Sequence, residues 1–420
     1  MKVAIMTNFQ DFPPGYSLTG IVKDQVEMLT RFGNEVHLFV STKYNSKEKL
    51  PEGTIVHKKV PFAHLKDYNT IADISVEHNQ VTNETAEMIK KEFTELGIDI
   101  AFTHDFIFTG WNIIYGLACK EVTCGLKTPF LHWVHSIPTG GRPFWNINAY
   151  GENQKIIWPN RTDMIRVAEQ YRGQHHHVRC IPHIKDLRTF FDFSEDTRKF
   201  IDAHPNMMQA DIVCVLPASV DRLIAKRIDY VMHILAAMKN NLNKSVFFVV
   251  CNQWATGKKQ KEDTNRYRRT GVNAGLVDGK ELAFTSDMGK EYEVGVPIRM
   301  VRELFLCSNL FIFPTREESF GLVVPEAALA GGPMMVLNKS LQMQTEITDN
   351  KALYFEFGSF HQEFNPPGPR YWDDLAFIIW GRMQQNESVM TRTFVRQQYN
   401  MDNLYRNYYA PIMMEMTRGK

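Results

Sequence analysis

The chain has almost no net charge: 48 basic against 47 acidic side chains leave +1 over 420 residues. A balance that even gives no whole-molecule field to draw the protein onto nucleic acid or anionic lipid, and leaves only local patches for such partners. Cysteine is scarce and scattered. The six stand at 119, 124, 180, 214, 251 and 307, without the C-x-x-C spacing of a zinc site or the density of a disulfide scaffold. Reduced, mostly buried thiols are expected. No apolar run approaches the ~20 residues that cross a bilayer. The opening MKVAIMTNF turns polar too early for a secretory leader, so a cytoplasmic protein is expected.

What remains is the composition of a soluble globular protein, 44% apolar and 23% charged. At roughly 100 to 200 residues per domain, the length fits two domains. The pattern along the chain is strand, loop, helix, strand. Val3–Met6 is a short apolar run. A Pro/Gly loop over 12–20 follows, then a helical face from Ile21 to Leu29, a stop at Gly33-Asn34, and a second strand at Val36–Val40. Alternation continues with a helix over Glu84–Leu96, a strand over Ile98–Phe102, a helix over Trp111–Cys119 and a strand over Phe130–Val134. The same grammar restarts at Asp211 with IVCVLPA and runs through strands Val246–Val250, Leu282–Phe284, Leu310–Phe313 and Met334–Leu337, with helices between them. Two doubly wound α/β domains in series follow. The polar stretch 193–205 is the expected linker. Ligands of open parallel sheets sit beyond the carboxyl ends of the strands, which makes Thr103-His104-Asp105 and His135-Ser136 places to look.

The most informative segment is PTREESFGLVVPEAALAGGP, Pro314 to Pro333. A strand meets a loop holding Gly321 and then a helix opened by Pro325, whose missing N–H costs nothing in a first helical turn. The free N–H groups of such a turn favour an anion. Glu318 and Glu326, with seven residues between them, flank the turn. Carboxylates accept hydrogen bonds from hydroxyl groups, so the pair suits a sugar or ribose better than bare phosphate. An exposed loop acid and a first-turn acid favoured by the helix dipole would give the same letters.

From Glu318 to Gly331 the run E-S-F-G-L-V-V-P-E-A-A-L-A-G resembles the Glu-x7-Glu signature of the retaining GT-B glycosyltransferases of family 4, with Ser319 in place of the usual Gly. The resemblance implies a GT-B architecture, two Rossmann-like doubly wound domains facing a central cleft. Residues 1–195 would form the acceptor domain, 206–389 the nucleotide-sugar domain, and a helix over 390–420 would return to the first. It implies that Glu318 contacts hydroxyls of the transferred sugar, that Ser319, Phe320, Gly321 and Leu322 surround sugar and phosphate, and that Glu326 holds the ribose. The family also keeps an Arg and a Lys after the first strand of the second domain. Arg222 and Lys226 in PASVDRLIAKRID stand closer together than usual, with Arg227 as a competitor. Gly20, in the loop GYSLTG, would let backbone approach the phosphate. His135 matches a histidine that faces the sugar, and Asp105 is a candidate to bind or deprotonate the acceptor hydroxyl. Ile181-Pro182-His183-x2-Asp186 resembles the family's I-P-N-G-x-D, with His183 as a departure.

The expected activity is transfer of a sugar, with retention, from a UDP- or GDP-sugar substrate to a saccharide, a lipid-linked glycan or a modified DNA base. No cofactor would be tightly bound. Arg222 and Lys226 would neutralise the leaving diphosphate in place of a metal, since Asp373-Asp374 lies far from the motif. The other class of reading is a nucleotide-binding regulator of the same fold without turnover. His175-His176-His177 is expected to be exposed loop, because adjacent side chains diverge. Lys258–Arg269, which mixes acids with its bases, is expected to be a solvated helix face.

Overall fold

In the computed structural model the chain is described except at 64, 66–69, 108–111, 124, 137–144, 369 and 419–420. Trp111, at the expected start of a helix, and Cys124 lie outside the described residues. The other five cysteines are free, and all but Cys180 are buried.

The first sheet has seven parallel strands: β1 (Lys2–Met6), β2 (Glu35–Ser41), β3 (Ile55–Val60), β4 (Ile100–His104), β5 (Phe130–Trp133), β6 (Gln154–Trp158) and β7 (Val178–Cys180). Their order is β3-β2-β1-β4-β5-β6-β7, so the winding reverses between β1 and β4. The second sheet, also parallel, holds β8 (Ile212–Ser219), β9 (Val246–Gln253), β10 (Leu282–Phe284), β11 (Leu310–Phe313), β12 (Met334–Asn338) and β13 (Leu353–Phe355). Its order is β10-β9-β8-β11-β12-β13, with the reversal between β8 and β11. Both sheets are doubly wound α/β, the fold class expected from the sequence.

Helices cover each sheet because their apolar residues recur on one face. Ser17–Arg31 buries Leu18, Val22, Val26 and Leu29, and Gly33, at φ +78°, turns the chain into β2. Val76–Leu96 starts at Ser75, whose side chain accepts the His78 N–H, and ends on left-handed Gly97. That helix begins eight residues before the expected Glu84.

Two compact units divide the chain, one of 1–184 with 401–420 and one of 185–400. The crossing points therefore fall at 184/185 and 400/401, not in the stretch 193–205 or at 390. The reasons are local. Glu195–Ala203 is a helix that buries Phe200 and Ile201 in the second unit, and Ser194 and Thr197 both hydrogen-bond buried Glu303. Glu387–Tyr399 stays in the same unit because the buried Arg396 guanidinium donates to the carbonyls of Met207, Met208 and Ala210. After Asn400, Met401, Leu404, Tyr409 and Ile412 join the core of the first unit.

Candidate functional site

In the second unit the crevice is made by the turns after β8 and β11, on either side of the reversal. The chain leaves β8 through a 3-10 turn at Val220–Arg222 and a single helical turn at Leu223–Lys226. The loop after β11 is tied to it: the Arg316 N–H donates to the Ala225 carbonyl at 2.9 Å, and the Thr315 hydroxyl to the same oxygen at 3.3 Å. This lashing carries Glu318 to Lys226. The two form an ion pair, and the Lys226 ammonium also lies 4.8 Å from the centre of the Phe313 ring. Burial pushes the Glu318 carboxyl up, but the hydrogen bond and charge of Lys226 outweigh it and hold the group below the ordinary glutamate value. Arg222 is half exposed and reaches Glu317 at 3.5 Å.

Arg222, Lys226, Glu318 and the run Ser319 to Leu322 line one cavity of about 540 Å³. Gly321 is required where it stands. Its φ is +79°, and a Cβ there would lie 3.1 Å from Glu318 Cγ. The N–H groups of Phe320, Gly321 and Leu322 donate to no described residue. Open N–H groups, two cations and a carboxylate in one concavity can hold an anion and hydroxyls together.

The competitor Arg227 and the expected member Glu326 stand apart. Arg227 is buried, adopts φ +50° and sits over the Tyr230 ring at 5.2 Å, outside this cavity. Glu326 is exposed and borders a different cavity, of about 300 Å³, lined by Ile298, Arg302, Phe305 and Leu329. Its helix is Val323–Gly331, two residues longer at the start than expected. The earlier start carries the Glu326 side chain round toward the helix Ile298–Cys307. Pro325 is still tolerated there, because first-turn N–H groups have no helical partner to lose.

The first unit gathers histidines at the carboxyl ends of β4 and β5. His104 Nδ1 and His135 Nε2 are 3.0 Å apart, and His104 Nε2 meets Gln25 Oε1 at 2.9 Å. The His183 ring packs 22° from parallel with that of His135, centroids 5.2 Å apart. Burial lowers all three, His135 to about 3 with help from the neighbouring His183. His135 is therefore neutral at physiological pH, a hydrogen-bonding group and no imidazolium acid. Asp105 sits between the two strand ends in left-handed conformation, φ +56°. Its Oδ1 accepts the His135 N–H at 2.9 Å, and burial raises the carboxyl to about 6. At pH 7 it is mostly ionised yet basic enough to take a proton. Gly20 lies inside the first turn of the helix Ser17–Arg31, not in a loop, and nothing stands within 4 Å of where its Cβ would be.

Sequence reasoning did not reach Gln25 or Tyr409, which join His104 through side-chain hydrogen bonds. His183 was visible only as a departure from a motif. His175–His177 forms a 3-10 turn with His177 buried, where its Nδ1 accepts the Gln174 N–H, so that stretch is not wholly exposed loop. In Lys258–Ala274 the cations Lys261, Arg266 and Arg268 each pair with an acid, as in a solvated face. Among the described residues no three His, Cys, Asp or Glu side chains are placed to hold a metal ion. No helix among them is long and apolar enough to cross a membrane.

No protein-family model and no curated protein sequence matches the chain. Solved structures do match it along its length. A glycosyltransferase from Rickettsia africae ESF-5 is 12% identical, with 100% of each chain covered and a TM-score of 0.36. WaaG, a glycosyltransferase involved in lipopolysaccharide biosynthesis, is 12% identical, with 99% of this chain and all of that one covered, at 0.32. HepE from Anabaena, in complex with UDP-glucose, is 11% identical over 98% of this chain and 99% of its own, at 0.33. These are likenesses in the course of the chain.

Proposed function

We propose that the protein is a retaining glycosyltransferase whose second unit binds a nucleoside-diphosphate sugar. The observation that carries this is the Lys226–Glu318 pair in one cavity at the reversal between β8 and β11, with Arg222 at the rim. Before ligand binds, the two charges neutralise each other. A sugar diphosphate offers each a better partner: phosphate oxygens for the ammonium, sugar hydroxyls for the carboxylate. Arg222, loosely held, turns to the same diphosphate. When the bond from the sugar to the diphosphate breaks, negative charge grows on the leaving oxygens, where prepositioned cations stabilise it most. The N–H groups of residues 320–322 add to that. Asp105 and His135 serve the hydroxyl side of the reaction, Asp105 as base and His135 as a neutral hydrogen-bonding group.

For the acceptor, a saccharide or lipid-linked glycan is preferred to a modified DNA base, because the net charge is +1 and in the basic stretch 258–269 Lys261, Arg266 and Arg268 are each paired with an acid. DNA would require a steep fall of activity with salt.

The test is a thermal-shift screen of UDP- and GDP-sugars, since a ligand that binds only the folded state raises the melting temperature. It is followed by hydrolysis and transfer assays on wild type and Glu318→Gln. Stabilisation by a nucleotide sugar together with turnover lost in Glu318→Gln supports the reading. Stabilisation without turnover on any acceptor would make the chain a nucleotide-binding regulator, and no stabilisation by any nucleotide sugar would sink both.

A further inference from the structure

Three histidines end the central strands of the first unit, and their ring nitrogens are not equally occupied. His132 is saturated: Nδ1 faces the Thr103 hydroxyl at 2.8 Å and Nε2 faces Gln154 Oε1 at 2.6 Å. His104 is saturated too, by Gln25 at 2.9 Å and His135 at 3.0 Å. His135 uses only Nε2. Its Nδ1 is buried and has no hydrogen-bond partner among the described residues. A buried polar atom without a partner is costly, and native structures keep few of them without a use.

Which proton sits on that nitrogen is decided elsewhere. A neutral imidazole has one N–H donor and one bare acceptor nitrogen, so each hydrogen bond in a line sets the next. Gln25 Nε2 donates to the Tyr409 oxygen at 3.0 Å, and in that orientation Gln25 Oε1 faces His104 Nε2 at 2.9 Å. That oxygen can only accept, so His104 Nε2 carries the proton and His104 Nδ1 is bare. The bare nitrogen in turn needs a proton from His135 Nε2. His135 Nδ1 is left with a lone pair. Tyr409 closes a π-helical turn, Tyr405–Tyr409, in the segment that returns to this unit after residue 400, and such turns are frequent at functional positions. The His183 ring stacked on His135 hinders a ring flip that would undo the assignment.

We propose that Tyr409, Gln25 and His104 are positioning residues that hold His135 as the Nε2–H tautomer, so that its open Nδ1 accepts a hydrogen bond from a substrate hydroxyl. The role in turnover rests on the function proposed above, whereas the tautomer is a property of the protein alone.

The experiment uses the full chain labelled with 15N-histidine and long-range 1H–15N correlation at neutral pH, alongside steady-state transfer kinetics. In wild type, both His104 and His135 should show protonated Nε2 and bare Nδ1. Gln25→Leu should turn His135 into a mixture of tautomers and lower kcat about tenfold, the worth of one ordinary hydrogen bond, while KM moves much less. Gln25→Glu, which can only accept from His104, should keep the wild-type tautomer and most of kcat. Tyr409→Phe, a smaller change that leaves the core volume intact, is read in the same way should Gln25→Leu fail to fold. A protonated Nδ1 on His135 in wild type, or tautomers unchanged in both Gln25→Leu and Tyr409→Phe, would overturn the proposal. A correct tautomer in a protein that turns over no nucleotide sugar would leave the relay standing and remove the glycosyltransferase reading.

Discussion

Both units gather polar groups beyond the carboxyl ends of central strands, the first at β4 and β5 and the second at β8 and β11, and treat them in opposite ways. In the first, burial strips the histidines of charge and the groups satisfy one another in a line from Tyr409 to His135. In the second, Lys226 and Glu318 are also largely shielded, yet they remain a pair, with Arg222 half exposed beside them. The lesson concerns what each can bind. A neutral line of hydrogen bonds selects hydroxyls by geometry, whereas a cavity that keeps charges in it selects a charged ligand and neutralises it.

The largest expected effect breaks the charged side. Lys226→Met leaves Glu318 without its ammonium and removes a cation from the leaving diphosphate. Turnover should fall about a thousandfold, as when a prepositioned electrostatic group is lost, and kcat should fall more than affinity for the nucleotide alone. A loss of UDP binding with kcat unchanged would mean that Lys226 holds the ground state only.

Acid separates the units next. A histidine with its folded pKa below the unfolded value contributes stability above pH ~6.5, and that stability is lost as pH falls toward the folded value. His132 and His135 sit at about 4 and about 3. Between pH 8 and pH 5 each removes about 2 kcal/mol. Asp105, raised to about 6, works the other way. Its contribution is complete below its unfolded value and disappears as pH rises through 6, so acidification to pH 5 returns ~1.4 kcal/mol. Together these three groups lose ~2.5 kcal/mol, and His104 and His183, also lowered by burial, add to the loss on the first unit. Hydrogen exchange at pH 5 should therefore show residues 1–184 opening before 185–400. Simultaneous opening would erase the contrast.

A third change sharpens the same point. Asp105→Asn keeps the oxygen that accepts the His135 N–H and tolerates the left-handed backbone, but has no charge to bury. Stability of the first unit should rise by ~3 kcal/mol at pH 8 and hardly change at pH 4, while transfer falls if Asp105 is the base. Urea melts at the two pH values, paired with kinetics, would show whether stability and activity trade against each other here.

How much of this was legible in the sequence follows from burial. Leu282–Phe284 and Leu310–Phe313 were read to the residue, because a strand covered on both faces is a continuous apolar run with sharp polar ends. The strand Ile55–Val60 was not expected, since five of its six residues, IVHKK, are at least partly exposed and carry no apolar alternation. The start of Val76–Leu96 was missed because its first turns bury little. Glu318 and Lys226 could be brought together from strand-end logic and motif alone. Gln25 and Tyr409 could not: 384 residues separate them, and nothing local marks a glutamine or a tyrosine as one link in a line.

The smallest expected effect tests the one motif residue that the fold places elsewhere. The resemblance puts Glu326 on the ribose, but its carboxylate borders the cavity against Ile298 and Leu329, while Glu318 faces Lys226. An exposed acid in the first turn of Val323–Gly331 interacts with the helix dipole for a few tenths of a kcal/mol and little else. On that geometry, Glu326→Ala should change KM for the nucleotide sugar by about threefold or less, roughly 0.6 kcal/mol, and leave kcat alone. A tenfold rise in KM, about 1.4 kcal/mol, would mean that the helix start re-forms around the ligand with Pro325 as its first residue, swinging Glu326 back to Glu318. A crystal structure with UDP bound would then show its carboxylate on the ribose hydroxyls.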